Sequence, residues 1–96
     1  MDLATGIDSL RGGIGGKPLE GIEISVDEGE KQLVIDYQPR TGKAFFDVCD
    51  MGGNVKHSHR MTAVSTTTWS YDRLPRGNYL LIVVDGEYIC RHKFRI

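Results

Sequence analysis

The sequence predicts an all-β chain: a two-layer sandwich of seven antiparallel strands behind a flexible N-terminal leader. Three observations predict it. From residue 19 onward apolar residues recur with a period of two, turn residues interrupt that alternation about every 8 to 12 positions, and no stretch sustains a helical period.

The leader comes first. Residues 1–18 hold Gly6, Gly12, Gly13, Gly15 and Gly16 with few large apolar side chains, and end on Pro18, a composition that does not pack. The run Gly12–Lys17 looks like a phosphate loop, but no strand precedes it, Arg11 stands where the first glycine belongs, and Pro18 replaces the metal-holding hydroxyl. The folded domain is therefore expected at 19–96.

Ile22, Ile24 and Val26 alternate with Glu23, Ser25 and Asp27 as a first strand, and Glu28-Gly29-Glu30 turns it into a second with Leu33, Ile35 and Tyr37 inward. Pro39 to Gly42 breaks the pattern. A third strand, Ala44 to Met51, sets Ala44, Phe46 and Val48 on one face and Phe45, Asp47 and Cys49 on the other. Gly52-Gly53 leads into Asn54 to Met61, which is read as an edge strand because it is poor in apolar residues and carries Lys56, Ser58 and Arg60. Thr66 to Tyr71 is the fifth strand. After the Pro75-Arg76-Gly77 turn, Leu80 to Val84 form the longest apolar run, as a strand covered on both faces requires. Asp85-Gly86 is the dipeptide of a type I′ hairpin, which returns the chain as Glu87 to Ile96. Seven such strands fit a sandwich with Greek-key connections, immunoglobulin-like in strand number and length, with an open barrel as the alternative.

Size and charge limit the function classes. Ninety-six residues form one domain with one modest core. Twelve Lys and Arg against 13 Asp and Glu leave a net charge of −1, so no global field recruits nucleic acid or an anionic membrane. The longest apolar run falls far short of the roughly 20 residues of a membrane helix. Met1 to Gly6 has neither the basic nor the apolar region of a signal peptide.

Three segments carry a resemblance: Val48 to Val55, Trp69 to Tyr79 with its Leu74-Pro75-Arg76-Gly77-Asn78-Tyr79, and Lys93-Phe94-Arg95-Ile96. Together they resemble small immunoglobulin-like domains of unknown function in secreted Bacteroides proteins, and are similar also to the C-terminal sorting domains of type IX secretion cargo. Ala4 to Asp8 looks like the segment that introduces such domains. The sorting domains carry a Pro-Asn-Pro motif near their first strand, and Ile22 to Gln38 has none. The resemblance implies an exported protein, its signal peptide already removed, and a non-enzymatic role in protein interaction or structural support at the cell surface or in the periplasm. The alternative it implies is a sorting signal on a larger cargo protein.

Several residues carry chemistry. His57 and His59 stand two apart on one strand and point the same way, and His92 would join them if the last strand ran nearby, a set suited to zinc or copper. The pair lacks a third ligand at a defined spacing, so the expectation is a solvated edge strand, with no metal and no cofactor. Cys49 and Cys90 are expected on strands flanking the buried strand and on opposite faces, about 10 Å apart, too far for a disulfide. Neither His92 beside Cys90 nor any Gly-x-Ser-x-Gly, paired-carboxylate or calcium-loop pattern makes a catalytic set. Asp47, Asp50, Asp72 and Asp85 are expected as turn formers and strand ends. Arg91, Lys93 and Arg95 share an outward face, where they guard an edge.

The most informative feature is apolar. With Tyr79, Leu81 and Val83 turned to the core, Leu80, Ile82 and Val84 face out, and Phe45 and Ile89 join them from the flanking strands. Such a patch is expected to be covered by a second copy, by another protein or domain, or by Ile7, Leu10 or Ile14 of the leader. Carbohydrate binding is the third reading. It needs exposed aromatics, and Trp69, Tyr71 and Tyr79 are expected to be buried, leaving Tyr88 and Phe45.

Overall fold

The computed structural model describes residues 16–61 and 65–96. They form eight strands: β1 (Lys17–Pro18), β2 (Glu23–Asp27), β3 (Gln32–Asp36), β4 (Ala44–Asp50), β5 (Val55–Arg60), β6 (Thr66–Ser70), β7 (Asn78–Asp85) and β8 (Tyr88–Arg95). Two sheets result, one ordered β1-β8-β7-β4-β5 and the other β2-β3-β6. The all-β, two-sheet expectation holds, and in β2 and β3 the alternation that predicted the strand is the alternation that buries it.

The connections interlock. β3 and β4 follow one another in the chain but belong to different sheets, as do β6 and β7, while β3 pairs with β6 and β4 with β7. Between the sheets Leu33 and Ile35 of β3 meet Ala44, Phe46 and Val48 of β4, Leu81 and Val83 of β7, and Phe94 of β8. Each of these side chains except Ala44 contributes about 1.5–3 kcal/mol by leaving water.

Three hairpins show the local chemistry. In the first, Asp27 Oδ1 accepts the Glu30 amide at 3.1 Å and Lys31 takes a left-handed conformation, φ 55°, before β3 begins. In the second, Asp50 Oδ1 accepts the amides of Gly52 (3.0 Å) and Asn54 (2.9 Å), and Oδ2 accepts Asn54 Nδ2 (3.0 Å). These bonds, the Asn54 side chain foremost, hold the Asp50 carboxyl below its ordinary range. The third differs from expectation. Asp85 pairs with Tyr88, so the two-residue loop is Gly86-Glu87 rather than Asp85-Gly86. Gly86 at φ 63° supplies the positive φ of a II′-type turn at its first central position, which leaves Asp85 inside the strand.

Two further expectations are corrected. Lys17 and Pro18, assigned to the leader, form β1 and pair in parallel with Tyr88 and Ile89, so the strand count is eight and the sheet is not purely antiparallel. No apolar alternation marked this strand, because its two side chains are exposed; backbone bonds from Lys17 and Leu19 make the pairing, and the Lys17 ammonium adds an ion pair to Glu87 at 3.5 Å. Residues 19–22 precede the first hairpin strand rather than belong to it, although Leu19 is buried in the core. At the other corner, Tyr79 packs on Phe94 with ring centroids 5.7 Å apart and donates its hydroxyl to the Pro75 carbonyl at 2.6 Å, fixing the turn that enters β7.

Candidate interaction surface

β7 runs between β8 and β4, and every residue from Tyr79 to Asp85 is buried. On the outer face, Val84 pairs with Phe45 on one side and Ile89 on the other, while Leu80 pairs with Cys49. The five residues expected as an apolar patch, Phe45, Leu80, Ile82, Val84 and Ile89, therefore come together, with Cys49 added. They are buried within one chain: Ile82 is 0% exposed, Leu80 7%, Val84 6% and Ile89 6%, with Phe45 half-buried. They make a second apolar cluster, divided from the first by the sheet itself. Cover by Ile7, Leu10 or Ile14 concerns residues outside those described.

A carboxylate sits inside this face. Asp47 is in the middle of β4 and fully buried, and its Oδ1 accepts the Ser58 hydroxyl at 2.6 Å. It pairs with Ile82, which pairs in turn with Arg91, so acid and base occupy one level of the same face on either side of an isoleucine. Asp47 is not the turn former that was expected. Its signal was its place in the alternation Phe45, Asp47, Cys49. Arg91, Lys93 and Arg95 are exposed along the rest of β8, as expected.

Asp85 is likewise no turn residue. Its buried carboxylate receives the Tyr37 hydroxyl at 2.5 Å, the Arg40 amide at 2.7 Å, the Thr41 amide at 3.1 Å and the Thr41 hydroxyl. Burial pushes its pKa up, but the Thr41 and Tyr37 side chains and the two amides outweigh burial and leave it below the ordinary range. On the other side, burial and the bond to Asp85 push the Tyr37 phenol up to about 12. The β3–β4 crossover is tied to the end of β7 by this one side chain.

The histidines divide. His57 pairs with Val48, Val48 with Leu81, and Leu81 with His92, so two strands separate His92 from His57, and three inter-strand spacings amount to about 14 Å. The three-histidine set does not assemble, and among the described residues no three His, Cys, Asp or Glu side chains converge. Instead the His57 ring stacks on Trp69 of the facing sheet at 4.7 Å and on His59 at 5.9 Å, with Phe46 beside all three. His57 is thus half-buried rather than solvated, and burial, then the neighbouring His59, lowers its pKa, while Asp47 acts the other way. Trp69, expected to be buried, is half-exposed. Periodicity places a residue on a face. It does not say what that residue meets across the sandwich.

Both cysteines are thiols, on β4 and β8 with β7 between them and on opposite faces, as expected. Burial raises the Cys90 thiol's pKa against the pull of Arg91, away from a reactive thiolate. An open groove of about 910 Å³ at one end of the sandwich is lined by Glu28, Lys31, Tyr71, Asp72, Arg76 and Arg95 among others. Its charges are of both signs, and they select no single ligand class. No helix is long and apolar enough to cross a membrane among the described residues. Compared with protein-family models and with curated proteins, the chain matches none.

Proposed function

We propose that the chain is an immunoglobulin-like module of an exported protein, non-enzymatic, acting in protein interaction or structural support at the cell surface or in the periplasm. The carrying observation is the outer face of the five-stranded sheet. A two-layer sandwich needs one apolar face per sheet, and this sheet has two, with Ile82 as completely buried as the residues of the inter-sheet core. That face is already buried within the single chain, so it favours structural support by the sheet over a face left open for a partner. The immunoglobulin-like reading is supported by the interlocked β3–β6 and β4–β7 pairs and by Tyr79, whose hydroxyl bond to Pro75 at the entrance of β7 has the form of a tyrosine corner. The two buried carboxylates also fit a structural role, since Asp47 and Asp85 hold strands and loops together.

Protease shaving of intact source cells, followed by fractionation and detection with an antibody to this domain, tests the reading. A protease-accessible or periplasmic band supports it, and a purely cytoplasmic one overturns it. A larger precursor that loses this segment on export would replace it with the sorting-signal reading.

A further inference from the structure

Among the described residues the sheets leave several strand sides unpaired, and most carry a device against pairing with another chain. β5 has the bulge between Val48 and Cys49 in its pairing with β4, with Lys56 at that bulge and Arg60 at its end. β2 carries Glu23 and Asp27, and the side of β8 beyond β1 carries Arg91, Lys93 and Arg95. β6 differs. Thr66-Thr67-Thr68-Trp69-Ser70 has no charge and no proline, and its pairing with β3 is unbroken by a bulge.

The backbone groups on its open side can be assigned. The Tyr71 amide donates to Lys31 and the Ser65 carbonyl accepts from Tyr37, so the odd-numbered residues turn their peptide groups toward β3. Thr66, Thr68 and Ser70 therefore turn their N–H and C=O groups to the open edge. We propose that this edge is a homodimer interface in which β6 pairs antiparallel with β6 of a second copy about a two-fold axis at Thr68.

That register satisfies every open group. Thr68 faces the partner's Thr68, Thr66 faces the partner's Ser70, and each pair exchanges both of its backbone hydrogen bonds. On the outer face hydroxyls then meet hydroxyls. On the inner face Thr67 meets the partner's Trp69 in the closer, non-hydrogen-bonded pairs, an aromatic against a β-branched residue, which covers the exposed part of Trp69. A strand bearing charge at its centre would oppose its own copy in this arrangement, and β6 bears none. The contact is isologous and closes at two copies, joining two three-stranded sheets into one.

Light scattering of the full chain from low to high micromolar concentration tests this, together with Thr68→Lys, which sets two ammonium groups face to face, and Ser25→Lys on the opposite edge strand β2. A mass rising to twice the 10.7 kDa of one chain, held by Ser25→Lys and lost in Thr68→Lys while the circular dichroism stays unchanged, is the expected result. Register is read by oxidative cross-linking in a Cys90→Ser background. Thr68→Cys is expected to link two copies, since directly opposed Cα atoms about 5.5 Å apart lie within disulfide range, and Ser70→Cys is not. A chain that is monomeric throughout, or a dimer that survives Thr68→Lys, overturns the proposal.

Discussion

The phenol of Tyr37 donates to Asp85 Oδ2 at 2.5 Å across 48 positions of sequence, and this bond ties the crossover between the sheets to the end of the central strand. Asp85→Ala would strand the donors of Tyr37, Arg40 and Thr41 and is expected to cost about 3 kcal/mol or more in urea unfolding, against about 1–2 kcal/mol for Tyr37→Phe. The pH dependence has a sign at each end. The depressed Asp85 pKa contributes stability above about pH 4 that is lost as pH falls further, and the raised Tyr37 pKa contributes stability below about pH 10 that is lost as pH climbs through about 12. A flat urea midpoint across both limits, or one moved equally in Asp85→Asn, would remove this account.

His57 is expected to make the open side of the sandwich acid-sensitive. Its folded pKa lies below its ordinary value, so the stability it contributes is complete above about pH 6.5 and declines as pH falls below that. Trp69 is the one tryptophan in the chain and stacks on His57, so its fluorescence reports the change directly. A His57→Phe variant should keep the stack and lose the dependence between pH 7.5 and 5. An unchanged slope in that variant would assign the effect to other groups.

Gly86 and Gly42 separate backbone conformation from space. Both have positive φ, 63° and 76°, but a Cβ on Gly86 would sit 3.0 Å from Thr41 Cγ2, whereas one on Gly42 meets nothing within 4 Å. Gly42→Ala is expected to cost about 1 kcal/mol from conformation alone. Gly86→Ala should cost at least about 2 kcal/mol, because it also pushes on the threonine that holds Asp85. Equal losses in thermal unfolding would show that Thr41 yields freely.

The second apolar cluster is expected to behave as core. Ile82→Ala should lower the unfolding free energy by about 3–4 kcal/mol, and Val55→Ala, at a site 43% exposed on β5, by less than about 0.5 kcal/mol. A small loss at Ile82 would mean that the outer face is loosely packed.

Most strands were legible because each buries one side, and burial writes a period of two into Ile22-Ile24-Val26, Leu33-Ile35 and Ala44-Phe46-Val48. The outer-face group was legible for the same reason, since β7 shows apolar residues at both phases. What escaped was interaction without periodicity. β1 consists of two exposed residues held by backbone bonds and a surface ion pair from Lys17 to Glu87. Asp47 and Asp85 read as turn formers because aspartate usually is one, and only burial with donors already in place makes it a tether. The stack of His57 on Trp69 joins two sheets, and no local pattern records which residues meet across that gap.

The cover on both sides of β7 also sets the time scale on which the chain can lose its shape. A strand hydrogen-bonded to β4 and β8 and sealed above and below has no partial opening of its own, so its amides should exchange with solvent deuterium only when the whole domain unfolds. The outward amides of Thr66, Thr68 and Ser70 exchange freely in a single copy. A slow clock and a fast one thus run in neighbouring strands of the sequence, and the fast one stops only where another strand arrives.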